Sequence, residues 1–215
     1  MDMLGGEDKR KVPDMLQRIL RYDVQVTKKF VELSQNITAL RSLRIHSKFL
    51  EVSCHGIVWL AGWITFIWLF NNRDLYQLQV NMLFALLLDI IIIAVVKAFV
   101  RRRRPIPMNK LLPGNPDKYS FPSGHTSRAV LVAFILICID PIYFIFYPPL
   151  VAWVVAVAIS RVLAERHYFL DVFAGVGIGI LEGLFISLIW FSQSTAISII
   201  TSLSDEKKDG GEYHV

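Results

Sequence analysis

The chain has 215 residues, enough for one domain, and 54% of them are apolar while only 19% are charged. Because an average soluble domain has about 25% charged residues, this composition argues against a soluble protein and indicates an integral membrane protein. The net charge of +5 is unevenly distributed: ten of the 23 Lys and Arg residues lie in positions 1–50 and seven lie in positions 97–118.

Residues 1–50 form a segment of their own. Between Pro13 and Leu33, apolar residues recur at helical spacing and basic residues lie between them. The apolar positions are Leu16, Ile19, Leu20, Val24, Phe30 and Val31, and the basic positions are Arg18, Arg21, Lys28 and Lys29. This pattern predicts a basic amphipathic helix, which either lies on a membrane surface or packs as an ordinary helix.

Residues 51–192 carry the apolar segments of the chain. A helix that spans a bilayer needs about 20 mostly apolar residues. Five segments meet or nearly meet this requirement: approximately 52–70, 79–99, 123–140, 142–162 and 170–191. The sequence therefore predicts an all-α fold, a polytopic membrane helix bundle of about five spans with an N-terminal amphipathic helix. Residues 193–215 are predicted to form a polar, disordered tail.

The distribution of Lys and Arg predicts the orientation, because cytosolic loops are enriched in these residues. With a cytosolic N-terminus and five spans, nineteen Lys and Arg lie on the cytosolic side and three, Arg73, Lys207 and Lys208, lie on the other. In this topology three polar motifs that interrupt the apolar sequence all face the cytosol.

The first motif runs from Lys97 to Pro105 (KAFVRRRRP) and closes the second predicted span. Lys97 and Arg104 are seven residues apart, two helical turns, so they share one face if the helix continues. Arg and Lys side chains both bind phosphate oxygens. The alternative is a basic cluster that only marks the membrane boundary.

The second motif runs from Tyr119 to His125 (YSFPSGH) and opens the third predicted span. A Pro-Ser-Gly turn before a helix offers backbone N–H groups and the positive helix end to an anion. Gly124 permits a close approach of the backbone, and His125 lies on the first helical turn beside any anion bound there. The alternative is a structural helix cap at Ser123.

The third motif runs from Ser160 to Asp171 (SRVLAERHYFLD) and joins the fourth and fifth predicted spans. His167 and Asp171 are four residues apart, so both lie on one helix face. A carboxylate that binds one ring nitrogen fixes the tautomer and makes the other nitrogen more basic, as a histidine nucleophile requires. The alternative is a capping or boundary histidine.

Together the motifs resemble the signature of the type 2 phosphatidic acid phosphatase superfamily: Lys-x6-Arg-Pro, then Pro-Ser-Gly-His, then Ser-Arg-x5-His-x3-Asp. No signature position is missing, and the resemblance covers approximately residues 50–192. The flanking sequences VRRRRP and DKYSFPSGH are most similar to the polyisoprenoid diphosphate (presqualene diphosphate) phosphatase branch.

The resemblance implies a role for each motif residue. His167 is expected to attack phosphorus, Asp171 to orient it, and His125 to protonate the leaving oxygen. The residues expected to bind the phosphate group are Lys97, Arg104, Ser123, Gly124 and Arg161, with Ser123 and Gly124 acting largely through backbone N–H groups.

The resemblance also implies an enzyme: a lipid phosphate or diphosphate phosphohydrolase that forms a phosphohistidine intermediate and needs no metal or other cofactor. The expected partners are the membrane and a lipid substrate, an isoprenoid diphosphate or a phosphatidate-like lipid, and no nucleic acid. The expected location is the endoplasmic reticulum and nuclear envelope. The family usually has six spans and a lumenal or extracellular site, so a count of five predicts a cytosolic site instead.

Two other functions stay open on the same fold: a catalytically silent membrane scaffold, and a phosphatase for soluble esters such as sugar phosphates. Within the predicted spans, Asp89 and Glu182 are either functional groups or polar contacts between helices. Cys54 and Cys138 are predicted to lie at opposite membrane faces and to form no disulfide.

Overall fold

The computed structural model describes residues 13–106 and 118–203, and this part of the chain is built from helices and their connections. The α-helices are α1 (Asp14–Ser34), α2 (Thr38–Ile45), α3 (Ser47–Ser53), α4 (Gly56–Leu69), α5 (Tyr76–Val100), α6 (Gly124–Phe134), α7 (Tyr147–Leu163), α8 (Phe169–Leu188) and α9 (Gln193–Leu203). Short 3-10 turns precede α5 and α7, and a π-helical turn, Ile135–Ile139, extends α6. The predicted all-α fold is confirmed.

The predicted N-terminal amphipathic helix is present as α1. One face is buried against the rest of the protein and consists of Asp23, Thr27, Val31 and Ser34. Beside it runs an exposed apolar stripe, Met15, Ile19, Tyr22, Val26 and Leu33. The basic residues of α1 are exposed on the remaining surface. The helix therefore packs against the bundle and also keeps an apolar stripe free, as a helix at a membrane surface requires.

The membrane spans are fewer and less regular than predicted. Among the described residues, three helical segments are long and apolar enough to cross a bilayer: Arg73–Val100, Phe144–Leu163 and Phe169–Leu188. The first predicted span is a pair of helices, α3 and α4, that bends by 49°. The third is Gly124–Ile139, apolar but shorter than the other spans. About five spans are reached only if the bent pair and the short helix both cross.

The bend between α3 and α4 has a structural cause at Cys54. The carbonyl of Cys54 accepts a hydrogen bond from Arg128 Nη1 at 3.0 Å, and its thiol donates one to the carbonyl of His125 at 3.0 Å. Side chains and carbonyls of α6 thus replace the helical hydrogen bonds that the bend removes. Cys54 is buried and Cys138 is exposed, and both are free thiols.

Three buried ionisable groups, one each on α5, α6 and α8, form a polar cluster inside the bundle. Asp89 on α5 accepts a hydrogen bond at 2.6 Å from Arg128 on α6, and both side chains are almost completely buried. Glu182 on α8 is buried and interacts electrostatically with Asp89. The structure therefore supports the interpretation of Asp89 as a polar contact between helices.

Helices α6 and α8 pack very closely because α8 presents glycines to α6. A Cβ added at Gly175 would lie 2.6 Å from the carbonyl oxygen of Ser123, and one at Gly179 would lie 2.5 Å from that of Ser127. Small residues let two membrane helices approach at backbone distance. This contact sets the beginning of α6, with the second motif, against the beginning of α8, with Asp171.

The C-terminal tail begins later than predicted. Residues 193–203, assigned to a disordered tail, form the helix α9, so the prediction is wrong for this part. Ser192 explains the helix start, because its Oγ accepts a hydrogen bond from Thr195 N at 3.2 Å in the manner of an N-cap. Ala196 is buried and α9 packs on α5. The predicted tail from residue 204 onward lies outside the described residues.

Candidate active site

The three motifs meet at one end of the bundle. The end of the first motif pairs with the start of the second: Arg103 and Tyr119 form an antiparallel bridge, and Ser120 N donates to the carbonyl of Arg102 at 2.8 Å. The second motif meets the third where Ser123 N donates to the carbonyl of Asp171 at 2.9 Å. Backbone hydrogen bonds thus connect segments that are far apart in sequence.

His167 lies at the centre of this junction and is 2% exposed. Its Nδ1 lies 2.6 Å from the carbonyl oxygen of Ser120. A carbonyl oxygen only accepts hydrogen bonds, so Nδ1 carries the proton and the lone pair is on Nε2. The geometry therefore presents Nε2 as the reactive nitrogen of a neutral imidazole.

Asp171 does not bind His167 in the way that the sequence predicts. Its Oδ2 is 3.8 Å from His167 Nδ1, too far for a hydrogen bond. Instead Oδ2 accepts from Tyr168 N at 2.9 Å and Oδ1 accepts from Arg102 Nη1 at 2.7 Å. The helical spacing places the two side chains on one face, but Nδ1 of His167 is hydrogen-bonded to the carbonyl of Ser120 and not to Asp171. Asp171 fixes the first turn of α8 rather than the tautomer.

The electrostatic surroundings of His167 keep it neutral. Burial lowers the pKa of His167 well below its usual value, and the positive charges of Arg104 and Lys97 lower it further. The hydrogen bond to the Ser120 carbonyl opposes these effects. Lys97 is itself buried. The lone pair of His167 therefore stays available at neutral pH, beside two of the cations predicted to bind phosphate.

His125 lies on the first turn of α6, as predicted, and its ring makes an edge contact with that of His55 at a centroid distance of 6.1 Å. Its Nε2 is buried and has no hydrogen-bond partner in the part of the chain that the structure describes. The positive charges of Arg161 and Lys97 both act on this ring. A buried polar atom without a partner is costly, which makes this nitrogen a candidate contact for a ligand.

The contacts of Ser123 differ from its predicted role, whereas Gly124 has a packing role and its predicted phosphate contact stays a prediction. The backbone N–H of Ser123 is bound to the Asp171 carbonyl, and its Oγ shares a hydrogen bond of 2.9 Å with Thr126 Oγ1. At Gly124, an added Cβ would lie 2.9 Å from Cγ2 of Ile93 on α5. Close helix packing explains this glycine without any ligand, and Ser123 N is not available to a phosphate group.

Arg161, the third predicted phosphate-binding cation, is held by two residues of α3 and by Ser160. Its Nη1 lies 3.1 Å from Glu51 Oε2, Nη2 donates to the carbonyl of Ser47 at 2.8 Å, and Nε donates to Ser160 Oγ at 3.3 Å. Its side chain is almost fully buried. Every nitrogen of the guanidinium thus has a protein partner, and contact with phosphate requires an exchange of partners.

Sequence reasoning missed two groups of this site. The role of the Ser120 carbonyl could not be predicted from the sequence, because every residue has a backbone carbonyl. Arg102 lies within a run of four arginines, so the sequence indicated its charge but not its binding partners. In the structure its guanidinium lies 4.2 Å from the centre of the Tyr168 ring and binds Asp171.

The PAP2 superfamily matches residues 78–194, more than half of the chain and a range that includes all three motifs. This chain belongs to the PAP2 superfamily. The match begins within α5, so α1 to α4 lie outside it. The predicted superfamily, that of the type 2 phosphatidic acid phosphatases (PAP2), is confirmed. The predicted class of enzyme, a phosphatase, agrees with this membership.

Two individual proteins extend the PAP2 match. A probable lipid phosphate phosphatase beta from Arabidopsis thaliana is 36% identical over 147 residues, which cover 53% of this chain and 66% of that protein. The chain therefore spans slightly less than two thirds of that relative. The crystal structure of Aquifex aeolicus LpxE is similar with a TM-score of 0.56 and 25% identity, covering 75% of this chain and 94% of that one. Together with the apolar helices, these similarities identify an integral membrane protein.

Proposed function

We propose that this protein is a metal-independent phosphohydrolase of membrane lipid phosphates or diphosphates. The observation that carries the proposal is the environment of His167, a buried imidazole whose Nδ1 proton is bound to the Ser120 carbonyl and whose surroundings are positively charged. Attack on phosphorus needs a free lone pair, and phosphoryl transfer needs cations that neutralise the phosphate oxygens. His167, Lys97 and Arg104 meet both needs.

In the first proposed step, Nε2 of His167 attacks phosphorus, a nitrogen–phosphorus bond forms, and the bond from phosphorus to the leaving oxygen breaks. His125 donates a proton to that oxygen from Nε2, the buried atom without a partner among the described residues. In the second step, water attacks phosphorus, the nitrogen–phosphorus bond breaks and a proton from the water returns to His125. Lys97 and Arg104 stabilise the charge on the phosphate oxygens in both steps.

Within this class, we propose a polyisoprenoid or presqualene diphosphate as the substrate. The support is the similarity of VRRRRP and DKYSFPSGH to that branch. The name of the Arabidopsis relative, a probable lipid phosphate phosphatase, supports the broader class of lipid phosphates. The exposed apolar stripe of α1 and the apolar helices agree with a substrate that stays in the membrane.

We further propose that the site faces the cytosol and that the protein resides in the endoplasmic reticulum and nuclear envelope. This orientation is supported by the distribution of Lys and Arg, with nineteen on the proposed cytosolic side and three on the other. The arginine run from Arg101 to Arg104 then faces an anionic leaflet, which concentrates basic segments and anionic lipids at the same surface.

The function is tested with purified protein and three probes: farnesyl diphosphate, phosphatidic acid and glucose 6-phosphate. Wild-type protein should release phosphate from a lipid probe faster than from the sugar phosphate. His167→Ala should lower kcat by at least about a thousandfold, while His46→Ala, an exposed histidine, should retain activity. Turnover by His167→Ala at the wild-type rate would refute the mechanism.

The same panel separates the two alternative functions. Preference for glucose 6-phosphate over both lipids would favour a soluble-substrate phosphatase. If folded wild-type protein hydrolyses none of the three probes, the result favours the catalytically silent scaffold.

A further inference from the structure

Asp23, a carboxylate on α1, is buried although it lies far outside the residues that match the superfamily. Its two oxygens have different partners. Oδ2 accepts a hydrogen bond from Arg102 Nη2 at 2.6 Å, and Oδ1 accepts one from Leu170 N at 3.1 Å. A buried carboxylate is costly unless it is paired and hydrogen-bonded, and both partners of Asp23 belong to the site.

Arg102 joins Asp23 to Asp171 through one guanidinium. Nη2 binds Asp23 at 2.6 Å while Nη1 binds Asp171 at 2.7 Å, and the guanidinium stacks on the Tyr168 ring. The planar fork of an arginine has fixed donor directions, so the position of one carboxylate constrains that of the other. Because the Arg102 side chain is only 11% exposed, solvent does little to weaken this ion-pair network.

Helix α1 also caps the helix that follows His167. The first N–H groups of an α-helix have no partner within the helix. In α8, Leu170 N donates to Asp23, and Phe169 N donates to Thr27 Oγ1 at 3.3 Å. These two caps come from another helix, whereas capping groups usually come from the residue just before the helix. The start of α8, two residues after His167, is therefore held by α1.

We propose that Asp23 is a positioning residue for catalysis, which acts through Arg102 and the first turn of α8 to hold Asp171 and His167. The inference rests on the proposed function of the site. It makes α1 a part of the active centre, although α1 contributes no group to the phosphate. Since the hydrogen bonds of Asp23 go to Arg102 and to the first turn of α8, beside Asp171 and His167, its loss should affect the chemical step more than substrate binding.

The test compares Asp23→Ala with Glu32→Ala, an exposed carboxylate on the same helix. With farnesyl diphosphate or phosphatidic acid as the probe, Asp23→Ala should lower kcat by about 10- to 100-fold, the range expected for a small misplacement of a reacting group, and leave KM within about twofold. Asp23→Asn keeps an oxygen acceptor and should fall between the wild type and Asp23→Ala. Equal kcat values for Asp23→Ala and Glu32→Ala would overturn the proposal, as would a change confined to KM.

A double-mutant cycle separates positioning from general destabilisation. Because Asp23 acts partly through Arg102, the loss of kcat in Asp23→Ala/Arg102→Ala should be smaller than the product of the two single losses. Losses that multiply would contradict the proposed connection. Thermal unfolding in detergent identifies variants that fail to fold, and if Asp23→Ala fails, Asp23→Asn, which keeps an oxygen acceptor, replaces it in the comparison.

Hydrogen exchange gives a readout that needs no enzymatic activity. The amide of Leu170 should exchange faster in Asp23→Ala than in Glu32→Ala, because it loses its acceptor. Unchanged exchange would overturn the positioning role even if the enzyme is active. Conversely, faster exchange of Leu170 in Asp23→Ala, combined with a wild-type protein that hydrolyses no lipid probe, would refute the proposed function and leave the structural connection intact.

Discussion

The ion pair between Asp89 and Arg128 should be a main determinant of stability within the bundle. Their side chains are 0% and 7% exposed and their charged atoms lie 2.6 Å apart. Asp89→Ala leaves Arg128 buried without its carboxylate, and loss of one partner of a buried pair costs about 3–5 kcal/mol. The Coulomb energy between two unit charges about 4 Å apart, about 4 kcal/mol at an effective dielectric constant of about 20, is of the same order.

For a chain of this size, about 1 kcal/mol shifts Tm by about 2–4 °C on the scale of soluble proteins, so Asp89→Ala should lower Tm by roughly 6–20 °C. The assay is thermal unfolding in detergent, with the exposed Asp74→Ala as the control. The double variant Asp89→Ala/Arg128→Met should recover part of the loss, because the guanidinium left without its partner is also removed. A Tm for Asp89→Ala within 2 °C of the control, taken as about the smallest meaningful shift, would refute this reasoning.

Three further predictions concern the reaction and the orientation. Burial and the nearby cations lower the pKa of His167, so its lone pair should be lost only at acidic pH, and kcat/KM should fall only below the pH range in which an ordinary histidine titrates. Two substrates whose phosphate groups ionise at different pH distinguish titration of the enzyme from titration of the substrate. An acid limb within or above the ordinary histidine range would contradict the assigned environment. Activity should persist in EDTA, because Lys97 and Arg104 neutralise the phosphate charge, and vanadate should inhibit the enzyme. Loss of activity in EDTA with recovery on addition of Mg²⁺ would count against metal independence. A glycosylation sequon after Asp209 should be modified in microsomes and one near Pro113 should not, whereas modification near Pro113 would reverse the proposed orientation.

Hydropathy and periodicity were sufficient to predict the helices but not their exact lengths. The segments from 79 to 99 and from 170 to 191 correspond closely to α5 and α8, because long apolar runs have few alternatives in a membrane. The bend at Cys54 and the helix α9 were not predicted. Both depend on partners elsewhere in the chain, Arg128 in one case and the surface of α5 in the other.

The sequence alone determined the class of fold, the superfamily and the residues that gather at the site, because motifs at fixed spacing on helix ends need only local geometry. Tertiary structure decided which atoms meet. The contact of His167 with Ser120 spans 47 residues, that of Arg102 with Asp171 spans 69, and that of Arg102 with Asp23 spans 79. Hydrogen bonds between such distant groups depend on how α1, α6 and α8 pack, and the close approach of α6 and α8 follows from glycines whose role appears only when both helices are in place.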